Sequence, residues 1–130
     1  MIVLDASAAV DWLLLTASGR SIEARIYSQQ ESLHAPHLVD VEVAHVLRRL
    51  NQQGLISKIR AGEAIRDLLD LRIFRYPPLP LLPRIWQLRH NLSAYDAAYV
   101  ALAESLRAAL ITRDRRLASA PGHGARIELF

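Results

Sequence analysis

Apolar positions along the chain fall into two patterns, short unbroken runs and longer stripes spaced three and four residues apart. The runs Ile2–Leu4 and Ala109–Ile111 have strand length, and Ile73–Tyr76, interrupted by Arg75, Ser32–Ala35 and Arg126–Leu129 complete a set of five predicted strands. Between them the spacing predicts helices: from Asp5-Ala6-Ser7 to about Leu15, over Ser21–Gln30, His37–Gln53, Ser57–Leu71 and Arg84–His90, from Ser93 through Glu104, and over Asp114–Ser119. Gly19 is expected to break the first helical stretch from the second, and Pro36 and Gly54 to open and close the third. Val39, Val43, Val46 and Leu50 form the core stripe of that third helix, and Ile59, Ala64, Ile65, Leu68 and Leu69 that of the fourth. Pro77, Pro78, Pro80 and Pro83 exclude a regular interior in the segment that follows. Alternating strands and helices predict an α/β fold with a mostly parallel sheet covered on both faces. No repeat or linker divides residues 1–130, so a single domain is expected.

Set against this pattern, the positions of four acids stand out. Asp5 directly follows the first strand, and Asp114 comes within three residues of Ile111. Asp96 lies in the first turn of the helix that Ser93 caps, in a Ser-x-x-Asp arrangement. Glu42 sits three residues after Val39 and four before Val46, at the border of a core stripe and with no cap to form. Taken singly, each has a structural explanation: Asp5 as a helix cap, Glu42 as an ion-pair partner of Arg48 or Arg49. Together they suggest a common site, because an α/β sheet gathers ligands beyond the carboxyl ends of its strands. Carboxylates brought together repel, and a hard cation such as magnesium or manganese relieves the repulsion while keeping waters and bridging to phosphate. Such an ion activates water and neutralises charge developing on a phosphodiester.

Other chemistries are less well supported. There is no cysteine, which excludes disulfides and thiolate-bound zinc, and the five histidines form no His-x-x-x-His pair. No Gly-x-Ser-x-Gly elbow, dinucleotide fingerprint or phosphate-binding loop occurs. An aspartyl-phosphate phosphatase would want a second Asp two residues after Asp5, where Ser7 stands. Tyr95, Tyr99, Trp12 and Trp86 are expected to pack in the core rather than stack on bases.

Charge and composition narrow the partners. Of sixteen basic residues only Lys58 is a lysine, and the net charge is +3, rising to +7 for the surface outside the four acids. Arginine suits phosphate through its planar fork. Arg113, Arg115 and Arg116, which flank Asp114, are expected to include at least one contact to substrate phosphate. No apolar run approaches the ~20 residues of a membrane span, and Asp5 interrupts the N-terminus too early for a signal peptide. The expectation is a cytoplasmic protein with no membrane partner.

Ile2-Val3-Leu4-Asp5-Ala6-Ser7, Pro36 to Glu42-Val43 with Arg48-Arg49, Leu92-Ser93-Ala94-Tyr95-Asp96-Ala97, and Leu110-Ile111-Thr112-Arg113-Asp114 with Leu117 resemble, in order, the motifs of PIN-domain ribonucleases. In size the chain resembles the VapC toxins of toxin–antitoxin pairs. That resemblance implies a three-layer α/β/α sandwich and magnesium- or manganese-dependent endoribonuclease activity. It assigns metal-binding and catalytic roles to Asp5, Glu42, Asp96 and Asp114, with Ser7 and Thr112 as supporting hydroxyls. It further implies a VapB-like antitoxin, a structured RNA substrate such as tRNA, and a homodimer. The alternative is a non-catalytic module that keeps the fold and docks to RNA or protein.

Overall fold

The computed structural model describes residues 1–130. Five strands, β1 (Ile2–Leu4), β2 (Leu33–Pro36), β3 (Ile73–Tyr76), β4 (Ala109–Thr112) and β5 (Arg126–Leu129), form one sheet in the order β3-β2-β1-β4-β5. Every pairing is parallel, so the sheet is wholly rather than mostly so. The central strands β1, β2 and β4 are buried throughout, as parallel strands covered on both faces must be.

Helices α1 (Ala6–Leu13), α2 (Ala17–Ser28), α3 (Leu38–Gln52) and α4 (Lys58–Asp70) pack against one another along the connections that carry the chain from β1 to β3. A 3-10 turn (Leu79–Leu81), α5 (Leu82–Gln87) and α6 (Ala94–Leu106) carry it back to β4, and α7 (Arg115–Ser119) precedes β5. The order in which strands are added therefore reverses between β1 and β4. Right-handed crossovers put the outgoing and returning helices on opposite faces, giving the three layers. The reversal leaves a crevice at the carboxyl ends of β1 and β4, the switch point where doubly wound sheets bind ligands.

Several local expectations need correction. The first helix stops at Leu13; Leu15 is half exposed with φ +52°. Gly19 does not break a helix but lies buried in the first turn of α2, which begins at Ala17 under a Thr16 cap. A Cβ there would stand 1.9 Å from the Asp11 carbonyl oxygen, so glycine is what lets α2 pack against α1. Ile59 and Leu69 face solvent instead of the core because α4 forms the outer edge of its layer and buries only Ala64 and Leu68. Along α3 the fully buried stripe is Val39, Val43 and Leu47, with Val46 and Leu50 partly covered. The proline segment accommodates α5 because Pro83 falls in its first turn, where a missing N–H costs nothing. Of the aromatics expected inside, Tyr99 and Trp12 are buried, whereas Tyr95 and Trp86 are exposed.

Candidate active site

The register of the two central strands builds the floor of the site. Leu4 aligns with Ile111, and the Asp5 N–H donates to the Ile111 carbonyl at 3.0 Å, which sets Asp5 beside Thr112. The Thr112 hydroxyl donates to Asp5 Oδ2 at 2.7 Å, and the Ser7 hydroxyl donates to the same oxygen at 2.5 Å. Both donors favour the charged carboxylate, but burial outweighs them and, with the Asp114 charge, raises the Asp5 pKa. Asp5 does not cap α1: no side-chain cap bond forms there. Its carboxylate is turned into the crevice instead.

Thr112 also organises the opposite wall. Its hydroxyl oxygen accepts from the Asp114 N–H at 2.9 Å, and the Arg113 N–H donates to Ser7 Oγ at 3.0 Å. Asp114 Oδ1 caps α7 by accepting from the Arg116 and Leu117 N–H groups, while its Oδ2 accepts no hydrogen bond. Asp114 is thus a helix cap that keeps one carboxylate oxygen free. At the start of α6, Ser93 takes the capping role by accepting from the Asp96 N–H at 3.1 Å, leaving the Asp96 carboxylate half buried. Burial, then the charges of Asp5 and Asp114, raise its pKa.

Glu42 comes from the second turn of α3. It makes no ion pair with Arg48 or Arg49, and its Oε1 is buried without a hydrogen-bond partner. Burial first, then Asp5 and Asp96, push its pKa up to about 7. The mutual repulsions show the layout: Asp5 couples to Asp114, Glu42 and Asp96, and Asp96 couples to Asp114 and Glu42. The four acids thus lie near enough to one another at the switch point for their charges to interact, Asp5 and Asp96 with each of the others.

No three of its His, Asp or Glu side chains converge tightly enough to enclose an ion unaided. A cation that retains several of its own waters, as magnesium and manganese do, needs fewer protein oxygens than an enclosed ion. The orphaned Glu42 oxygen fits the same reading, since a buried acceptor without a donor is stabilised by a proton or a positive charge. Beside Glu42, a groove of about 420 Å³ is lined by Val41, His45, Val46 and Tyr95.

The three predicted phosphate-contacting arginines separate. Arg113 is committed within the molecule: its Nε donates to Asp11 Oδ2 at 2.5 Å and its other nitrogen to the Phe130 carbonyl. Arg115 and Arg116 are exposed and form no ion pair. Sequence reasoning placed Tyr99 in the core, where it is fully buried, but did not foresee that its hydroxyl would be buried there without a hydrogen-bond partner. Its position three residues after Asp96, one helical turn along α6, was the available signal.

Residues 2–122 match the PIN domain family model. The chain is 49% identical over 117 residues to ribonuclease VapC9 of Mycobacterium tuberculosis, covering 90% of this chain and 88% of that protein. It is 44% identical to ribonuclease VapC12 of the same organism, covering 99% and 98%. Among solved structures, VapBC2 from Rickettsia felis bound to a promoter DNA fragment superposes with a TM-score of 0.69 at 13% identity, covering 99% of this chain and 98% of that one. That last likeness shows the fold.

Proposed function

Because this chain belongs to the PIN-domain family, we propose that it is an endoribonuclease toxin of a toxin–antitoxin pair that hydrolyses RNA phosphodiester bonds with a divalent cation at the switch point. The observation that carries the reading is the convergence of Asp5, Glu42, Asp96 and Asp114 on one crevice, with Asp5, Glu42 and Asp96 all shifted toward protonation by burial and mutual repulsion. Their like charges make the empty crevice unfavourable for full ionisation and favourable for a cation. These four residues would hold it. Bound there, magnesium or manganese supplies charge neutralisation on the phosphate and activation of water.

The chain's own groups divide the remaining work. Ser7 and Thr112 hold Asp5 in one orientation through two hydroxyl donors. Asp114 is held by its cap bonds to α7, and Asp96 by the first turn of α6. Arg115 and Arg116, exposed next to Asp114, would meet RNA phosphate, with structured RNA such as tRNA as the substrate class. Arg113 is assigned instead to tying the β4 end to α1.

Regulation falls to a VapB-like antitoxin, a reading supported by the VapC relatives and by a VapBC structure of the same fold. An acidic crevice invites a basic inhibitor side chain, which would compete with the cation. Val41 and Tyr95 are both exposed beside Glu42, and such apolar surface suits either the antitoxin or the second copy of a homodimer. No helix is long and apolar enough to cross a membrane, in keeping with a cytoplasmic site of action as part of this proposal. The test is incubation of purified protein with a tRNA pool in magnesium, in manganese and in chelator. Cleavage at defined positions in either metal and none in chelator supports the reading; no cleavage under any condition contradicts it.

A further inference from the structure

Three buried side-chain atoms in the molecule have no hydrogen-bond partner, and two of them are Tyr99 Oη and Glu42 Oε1. Tyr99 is fully buried on α6, three residues beyond Asp96, so its ring enters the core from the helix face that carries the site acid. Its hydroxyl is close enough to the Glu42 carboxyl for the two to interact, short of a well-aligned hydrogen bond, and the charges of Asp5 and Asp96 also reach it. Packing needs only the ring. A phenylalanine would fill the same space without burying an unpaired hydroxyl, whose desolvation is uncompensated.

The two orphans are chemically complementary. A phenol is a donor, and an ionised carboxylate is only an acceptor. Their bond strengthens when the carboxylate carries its charge, because charge-assisted hydrogen bonds are the stronger kind. Glu42 has no other fixed partner: no arginine, no hydroxyl and no backbone N–H bonds to it. Asp5, by contrast, is held by two hydroxyls, and Asp114 by two backbone donors.

We propose that Tyr99 is a positioning residue whose hydroxyl donates to Glu42 and holds that carboxylate for the cation shared with Asp5, Asp96 and Asp114. It thereby does for Glu42 what Ser7 and Thr112 do for Asp5. The inference rests on the reading of the four acids as a cation site, and it concerns how one of them is held.

The test is calorimetric titration of manganese into the purified full chain at pH 7.5, for wild type, Tyr99→Phe, Glu42→Gln and the double variant, with thermal unfolding of each in chelator. Partners that orient a metal ligand commonly affect metal affinity by about 10–100-fold, so Tyr99→Phe should weaken manganese binding about 10-fold. In the Glu42→Gln background the same change should have little further effect, because the group it acts through is altered. The metal-free Tyr99→Phe protein should still unfold in one cooperative transition, so that weaker binding reports on how Glu42 is held and not on a disrupted core. Unchanged affinity, or equal weakening in both backgrounds, overturns the proposal. A Tyr99→Phe chain that does not fold also overturns it, since the hydroxyl would then be structural. If wild type and Glu42→Gln bind manganese equally well, the assignment of Glu42 to the site falls, and the role of Tyr99 with it. A wild type that binds no manganese removes the cation site itself.

Discussion

Thr112, the last residue of β4, donates its hydroxyl to Asp5 just beyond β1 at 2.7 Å, joining positions 107 residues apart. The same oxygen accepts the Asp114 N–H, so one buried hydroxyl fixes two of the four acids. Thr112→Val keeps shape and β propensity but leaves Asp5 one donor short. The expected loss of stability is about 1–3 kcal/mol, with Thr112→Ser retaining most of the wild-type stability. Urea denaturation of the three proteins decides; equal midpoints would mean the hydroxyl contributes nothing.

Glu42 should give the metal-free protein a distinctive pH dependence. Its folded pKa of about 7 lies above its ordinary value of 4.5, so the folded state binds the extra proton between those values. Its contribution is therefore complete below pH 4.5 and is lost as pH rises through 7. Asp5 and Asp96, also raised, act in the same direction. In chelator, Glu42→Gln should flatten the fall in stability between about pH 5 and 8 by on the order of 1 kcal/mol, allowing for screening of a half-buried group. A parallel pH profile in the variant would show that Glu42 titrates normally.

Gly19→Ala reverses the usual sign of a glycine substitution. In an open helix interior, alanine would gain about 1 kcal/mol. Here the new methyl meets the Asp11 carbonyl 1.9 Å away, backbone that cannot give without separating α1 from α2. A loss of about 1–3 kcal/mol is expected from such overpacking. A higher melting temperature in the variant would show that the two helices can part without cost.

The arginines flanking Asp114 should divide in their effect on RNA. With cleavage blocked by Asp96→Asn, changing Arg115 and Arg116 to Gln should flatten log affinity against log salt by about 0.7–0.9 for each RNA phosphate that is no longer neutralised. Arg113→Gln should leave that slope alone and lower stability slightly, since its partners are Asp11 and the Phe130 carbonyl. Salt titrations by filter binding separate the two. An unchanged slope in the double variant assigns those side chains to solvent.

The placement of the four acids at strand ends, a helix start and a core border was legible in the sequence because those signals are local. Asp5 and Asp114 abut strand ends, Asp96 sits three residues after its capping serine, and Glu42 interrupts a core stripe. Strand pattern and crossover handedness then foretold the layered parallel sheet. What stayed hidden depends on neighbours distant in sequence. The Arg113–Asp11 pair spans 102 residues, so Arg113 looked free. The need for glycine at position 19 arises from the approach of α1 to α2, which no helical period encodes. Ile59 and Leu69 continue an apolar stripe, yet α4 has nothing outside it to cover them. Tyr99 reads as one more apolar residue of a buried helix, and only the fold shows that its hydroxyl is buried without a partner.

The most direct measurement is RNA cleavage by Asp96→Asn beside wild type, with circular dichroism to establish that both are folded. Ser93, not the Asp96 side chain, supplies the cap of α6, so the amide should leave the helix and its stability intact. It removes one of the two charges that interact with each of the other acids. The predicted result is cleavage by wild type in magnesium or manganese, at least about 100-fold less by the folded variant, in line with the cost of disturbing a catalytic metal site, and none by either protein in chelator. A folded Asp96→Asn protein that cleaves RNA at the wild-type rate would contradict the assignment of these acids to catalysis.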